Sequence, residues 1–243
     1  TAYLVDAKHV LSAAVAKFEE SIKAGRFPVL LLNDKSAKLA EVKFLLQGYT
    51  LAVLNSETKE SEFFKTISTK GAIPEGVQGI VTTVVLREGN SLFDDRLFDF
   101  IIVGTHHSST IEQLSARIRN ASEINVHIIR HSDRKTNGSV FDADKYATLV
   151  ERRAQYFIDE QNNQEPGDDT AALFFERELR KAIQYQPVTE DKDGRLQICH
   201  FAVNNEVHQA ETQHEYQNDD YLKKSLQQYG FQVVAPGEVL QDQ

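Results

Sequence analysis

The chain has 243 residues, 41% of them hydrophobic, and a formal net charge of −9, enough for one full core and a smaller second unit. No run approaches the roughly 18 apolar residues of a membrane span, and no signal-like pattern opens the chain. The expectation is a cytoplasmic protein with no membrane partner, or an intracellular one in a host cell if it is viral or phage. The single cysteine, Cys199, excludes an internal disulfide and a zinc cluster, and a chain that starts at Thr1 without any methionine reads as a processed product or a fragment with residues upstream.

Residues 3 to 24, YLVDAKHVLSAAVAKFEESIKA, carry apolar residues at helical spacing and stop at Gly25, so 1–24 is expected to be an N-terminal helix or interdomain linker. FPVLLLND (27 to 34) is a short continuous apolar run, the pattern of a strand buried on both faces. The amphipathic stretch 35 to 47 predicts a helix, 49 to 57 a strand, and 59 to 70 a helix closed by Gly71. The β-branched segment 77 to 86 predicts a third strand and LFDFIIVGT (97 to 105) a fourth. Then come a helix over STIEQLSARIRNA (109 to 121) and a strand, INVHIIRHS (124 to 132). Strands alternating with helices of about a dozen residues imply βαβ units, hence an α/β parallel sheet with helices on both faces.

After Asp133 the texture changes. RKTNGS is turn-rich, and helices are expected over 142 to 163 and 168 to 185, on either side of QEPG. Two strands are expected around DKDG and EVHQ, then a helix (219 to 230) and a last strand, FQVVA. The expected division is a sheet domain over 25–135 and an α+β accessory region over 140–243. Charge follows the same division: residues 1 to 135 hold 17 basic against 16 acidic side chains, and residues 136 to 243 hold 10 against 20. An acidic second half argues against broad phosphate binding there, while the balanced first half permits a local basic groove.

In a parallel sheet the useful loops lie at the carboxyl ends of the strands, where helix N-termini offer N–H groups to anions. That rule selects Asn33 to Ser36, Asn55 to Thr58, Arg87 to Leu92 and Gly104 to Thr110. The chain contains neither Gly-x-x-x-x-Gly-Lys-Ser/Thr nor Gly-x-Gly-x-x-Gly, so it cannot cradle a nucleotide's phosphates in the Walker manner. What remains is a half-site that offers arginines to a nucleotide held by another domain.

The order of elements, with GIVTTVVLREGNSL and then IEQLSARIRNA, resembles the second RecA-like domain of superfamily 2 helicases and translocases. That architecture is a P-loop NTPase fold without a Walker A segment. Thr82, Thr83, Glu88, Gly89, Asn90, Ser91 and Leu92 are similar to motif V, which touches both nucleic acid and nucleotide. Gln113-x-x-Ala116-Arg117-x-Arg119 is similar to motif VI, with Ala116 where glycine is common and Asn120 where many relatives have another arginine. The form resembles viral, phage and plasmid replication helicases, including origin-binding types. The resemblance implies an ATP-hydrolysing helicase or translocase whose upstream RecA-like domain holds ATP and Mg²⁺, with no cofactor bound by this chain alone and DNA favoured over RNA.

Carried over residue by residue, the resemblance makes Arg117 the arginine finger that reaches the γ-phosphate, Arg119 its partner, and Gln113 a residue ordering the nucleotide edge. Glu88, Gly89 and Asn90 become nucleotide contacts. Asn33, Asp34, Asn55, Thr82, Thr83, His106 and His107 become nucleic acid contacts. An arginine from a second domain fits phosphoryl transfer, which spreads charge over the equatorial oxygens.

Plainer readings stand beside these. Arg117 and Arg119 are about 200° apart on an ideal helix and suit a solvated face. Thr82 and Thr83 suit a strand. Ser108, Ser109 and Thr110 suit helix caps, and His106 and His107 have no further ligand nearby in sequence, so no metal is expected. Two further classes stay open: a non-catalytic α/β interaction module, and a small-molecule enzyme using the same loops.

Overall fold

In this computed structural model the described residues are 1–32, 36–83, 91–162 and 187–238. They form two compact units, residues 1–138 with 214–243, and residues 139–213. The expected helix over 168 to 185, the end of the strand expected over 77 to 86, and Glu88, Gly89 and Asn90 lie outside the described residues, as do Asn33 and Asp34.

The first unit is built on β2 (Phe27–Leu32), whose six residues are all buried. Because strand side chains alternate, Phe27, Val29 and Leu31 enter one apolar cluster while Leu30 and Leu32 enter another on the opposite face. β2 pairs in parallel with β4 (Gly79–Thr82) and β6 (Leu97–Val103). β3 (Leu51–Leu54) lies outside β4, and β8 (Glu123–His131) lies beyond β6. β1 (Ala2–Ala7) and β11 (Val233–Val234) complete a seven-stranded, all-parallel sheet of order β11-β1-β8-β6-β2-β4-β3.

Helices α1 (Val10–Lys23) and α2 (Ser36–Leu45) cover one face, placing Ala14, Phe18, Leu39 and Val42 in one cluster. On the other face, α3 (Glu62–Lys70), α4 (Ser108–Ser115) and α7 (Asp219–Gln228) contribute Ile67, Ile111, Leu114, Leu222 and Leu226. Each fully buried side chain of this kind contributes about 1.5–3 kcal/mol. The α/β sheet with helices on both faces is thus the observed architecture of this unit. Among the described residues no helix is long and apolar enough to cross a membrane.

Local signals end the helices where chemistry demands. Ser61 caps α3 by accepting from the Phe64 N–H at 3.1 Å, and Gly71 closes it in the left-handed region at φ 60°. A Cβ there would stand 2.6 Å from the Ser91 carbonyl oxygen, so both conformation and space require glycine.

Three expectations need correction. Residues 3 to 24 are not one helix: β1 precedes α1, because Ala2 and Leu4 alternate into the core and six residues pair with β8. The helix expected over 109 to 121 ends at Ser115, and Ile118–Arg119 forms β7, paired in parallel with β5 (Leu92–Phe93). The strand expected around EVHQ is helical, inside α6 (His200–Gln217). The compact units also divide the chain differently from the expected 1–24, 25–135 and 140–243. β1 sits between β8 and β11 within the sheet, and the sheet recruits residues 214–243 through β11 and α7.

The second unit holds α5 (Ala143–Asn162) and the antiparallel pair β9 (Val188–Glu190) and β10 (Leu196–Ile198). The turn between these strands falls on DKDG as expected, with Asp191 accepting from the N–H groups of Asp193 and Arg195. Ala154, Ile158 and Val188 form its small core.

Candidate functional site

The parallel sheet changes sides at β2: the chain goes to the outer strand β3 and back to β4 on one side, then to β6 and β8 on the other. In such sheets the crevice at the carboxyl ends of the strands flanking the reversal is the usual ligand position. Thr82, Thr83, Asn55, His106 and His107 all fall at this carboxyl edge, and most of their hydrogen-bonding capacity on view is turned inward. The buried Asn55 side chain accepts from the Thr58 N–H at 2.9 Å, and Thr58 Oγ1 accepts from the Asn55 N–H at 2.9 Å, a reciprocal cap on the short turn Ser56–Thr58. Thr82, 1% exposed, directs its hydroxyl to the carbonyls of Leu54 and Thr83. Thr83 is half-buried, and its N–H also meets the Leu54 carbonyl, at 3.1 Å.

The start of α4 is closed in the same way. Glu215, 1% exposed, accepts from the Ser108 N–H and from the Ser108 hydroxyl, both at 2.7 Å. His107 Nδ1 accepts from the Ser109 N–H at 3.2 Å and lies 2.7 Å from the Ser109 hydroxyl. The next two N–H groups, of Thr110 and Ile111, go to the His107 carbonyl. His107 Nε2 lies 3.8 Å from Glu215 Oε1. All four leading amides of α4 are therefore used internally, and none is left for an anion.

The motif-like arginines lie elsewhere. α4 carries the chain about 12 Å back along the sheet, and Gln113 is exposed on its surface. Arg117 follows the helix, half-buried, and its carbonyl accepts from the Leu92 N–H at 2.8 Å; the Arg119 carbonyl accepts from the Asp94 N–H at 3.0 Å. Because the helix ends before either arginine, the helical angle of about 200° between them does not apply. In the β5–β7 ribbon Leu92 pairs with Ile118 and Phe93 with Arg119. Leu92 and Ile118 are buried, so Phe93 and Arg119 share the opposite, outward face.

No family model matches the sequence, and no curated protein matches it. Among solved structures, the chain is distantly similar to the crystal structure of the C-terminal part of the Fun30 ATPase domain. The TM-score is 0.38 and the identity 14%, over 51% of this chain. The match spans about two-fifths of that chain's length, 41%.

A buried carboxylate, a half-buried ionic cluster and a cleft escaped the sequence reading. Asp99 on β6 accepts from the Ser21 hydroxyl at 2.6 Å and from the Arg26 guanidinium, with His127 Nε2 at 3.8 Å. Burial alone would raise this carboxyl. His127, Ser21 and Arg26 outweigh that and hold it well below the usual carboxylate range. Asp219, in the first turn of α7, meets Arg130 and Arg134, each at 2.7 Å, and both arginines also reach Asp6. Here too burial opposes ionisation, yet the two guanidiniums keep the Asp219 carboxyl below its ordinary value.

The cleft, of about 360 Å³, lies beyond the ends of β1, β6 and β8 and is lined by Lys8, His9, Glu41, Gly104, His131 and Tyr216 among others. Reading β1 as helix hid Lys8 and His9 from the list of strand-end loops. No local signal could have announced partners such as Asp6 and Arg130, which are 124 positions apart.

Proposed function

We propose that this chain is the C-terminal motor half of an ATP-dependent nucleic acid helicase or translocase. The observation that carries the reading is the β5–β7 ribbon. The segments that resemble motifs V and VI are far apart in sequence, yet the Leu92 N–H bonds the Arg117 carbonyl and the Asp94 N–H bonds the Arg119 carbonyl. A backbone ladder of this kind ties the chain at the two arginines to Leu92 and Asp94, the kind of fixed backbone that a finger needs if it is to arrive in register with a nucleotide.

In this reading ATP and Mg²⁺ are held by a separate phosphate-loop domain of the same protein. Arg117 reaches the γ-phosphate, Arg119 supports it, Gln113 orders the nucleotide edge, and Glu88, Gly89 and Asn90 approach the nucleotide. Asn33, Asp34, Thr83, His106 and His107 face a DNA strand, while Asn55 and Thr82 shape the loops that do so. Domain closure on ATP couples hydrolysis to movement along the strand.

The test is DNA-stimulated ATP hydrolysis by the full-length protein. Arg117→Ala is expected to lower kcat by about 10³-fold or more, and Arg117→Lys to recover little, because a point charge does not reproduce the guanidinium fork. Hydrolysis that is indifferent to Arg117 sinks the reading. A second reading, a non-catalytic interaction module, is favoured by the closed amides of α4, and it is the one left standing if neither arginine matters.

A further inference from the structure

We propose that the outward face of the β5–β7 ribbon is a nucleotide platform, on which the Phe93 ring stacks against the base of ATP while Arg119 takes a phosphate. The inference rests on the motor reading above and assigns it a base-recognition residue.

Phe93 is 60% exposed, although it belongs to a hydrogen-bonded strand. It is also held in place. Its N–H donates to the Gly71 carbonyl at 2.7 Å, and its ring lies against Gly71 so closely that a Cβ on that glycine would stand 2.9 Å from Cδ2. A glycine seat under an exposed ring fixes the ring's orientation without covering it. Exposing a large apolar side chain is unfavourable, and holding it rigid costs conformational entropy. Both are offset when the ring later takes a flat partner without further ordering.

The neighbour across the ladder decides what kind of partner. Arg119 is the register partner of Phe93, with Cα atoms about 5 Å apart, and the two side chains leave the same face. Arg119 is exposed, and among the described residues its guanidinium makes no ion pair or hydrogen bond. By contrast Arg26, Arg96, Arg130 and Arg134 each bind a carboxylate. A flat apolar surface beside an unspent guanidinium is complementary to a nucleotide: the ring takes the π-face and the arginine takes the charge. An apolar peptide would use the ring and leave the arginine idle, and a bare phosphate would use the arginine alone. ATP is the nucleotide that places both groups in the site that the motor reading gives to Arg117.

Residues 1–243 include no tryptophan, so Phe93→Trp in the full-length protein adds an indole at the platform whose emission is read as the difference from the parent. Titrating that variant with ATP is expected to quench its fluorescence to saturation, beyond the quenching of free tryptophan amide by the same ATP. Inorganic tripolyphosphate, which has the charge but no base, is expected to leave the emission unchanged. Arg119→Ala in the same background is expected to weaken ATP binding about tenfold.

No saturable quenching, quenching that ignores Arg119, or quenching by oligothymidylate but not by ATP each overturns the proposal. In the hydrolysis assay, Phe93→Ala is expected to raise KM for ATP about tenfold, the scale of one lost stacking contact, with kcat little changed. If hydrolysis depends on Arg117 while KM ignores Phe93, the platform falls and the motor reading stands. If hydrolysis ignores Arg117, the motor reading falls whatever the indole reports.

Discussion

The carboxyl edge of the sheet and the β5–β7 ribbon use their side chains in opposite ways. At the edge, Asn55 caps a turn, Thr82 meets two carbonyls, and Glu215 absorbs the Ser108 amide and hydroxyl. On the ribbon, Phe93 and Arg119 stand outward with their capacity unspent. Polar residue type at a favoured position is therefore a weak guide to binding. What separates a structural polar group from a recognition group is whether the fold already satisfies it.

The comparison predicts that substitutions of the satisfied edge groups Asn55, Thr82 and Glu215 act on stability and ribbon substitutions on binding. The largest effect belongs to the most deeply buried acceptor. Glu215→Ala strands the Ser108 amide and hydroxyl in a buried site and is expected to cost about 3 kcal/mol, read as a lower urea midpoint at unchanged slope. A loss below about 1 kcal/mol means that the edge is solvated and open to ligands after all.

Asp99 should come next. Its folded-state carboxyl is depressed, so the stability it contributes is fully present above the unfolded value near pH 4 and is lost as pH falls toward the folded value. Asp219 acts in the same direction. Asp99→Asn is expected to cost about 2 kcal/mol at neutral pH and to flatten the acid limb between about pH 4 and 2. An acid limb of unchanged steepness in thermal melts removes Asp99 from the account.

Asn55→Ala should be milder, about 1 kcal/mol, the usual cost of a lost cap, detectable as a drop in Tm of a few degrees. Arg119→Ala is expected to be the smallest, within about 0.5 kcal/mol of the parent. A loss comparable to that of Asn55→Ala shows that Arg119 supports the fold, and it erases the contrast between the two regions.

Much of the first unit was legible because its signals are local. The apolar run at β2, the helix closed by Gly71 and the amphipathic segment of α7 each carry their pattern within a dozen residues, and each element forms where the pattern lies. β1 was hidden because a six-residue alternation runs directly into the helical spacing of α1, and only pairing with β8 and β11 distinguishes the two. The end of α4 was hidden for the same reason: Ala-Arg-Ile-Arg is acceptable in a helix, and the ladder to Leu92 and Asp94 takes it instead.

The sequence by itself determined the α/β alternation, the two-sided burial of β2 and the glycine that ends α3, because period, propensity and left-handed conformation are properties of neighbouring residues. The tertiary structure decided which arginine stands beside which aromatic ring, and which polar groups are already satisfied. Both depend on strand register and on contacts between segments distant in the chain, which no local spacing encodes.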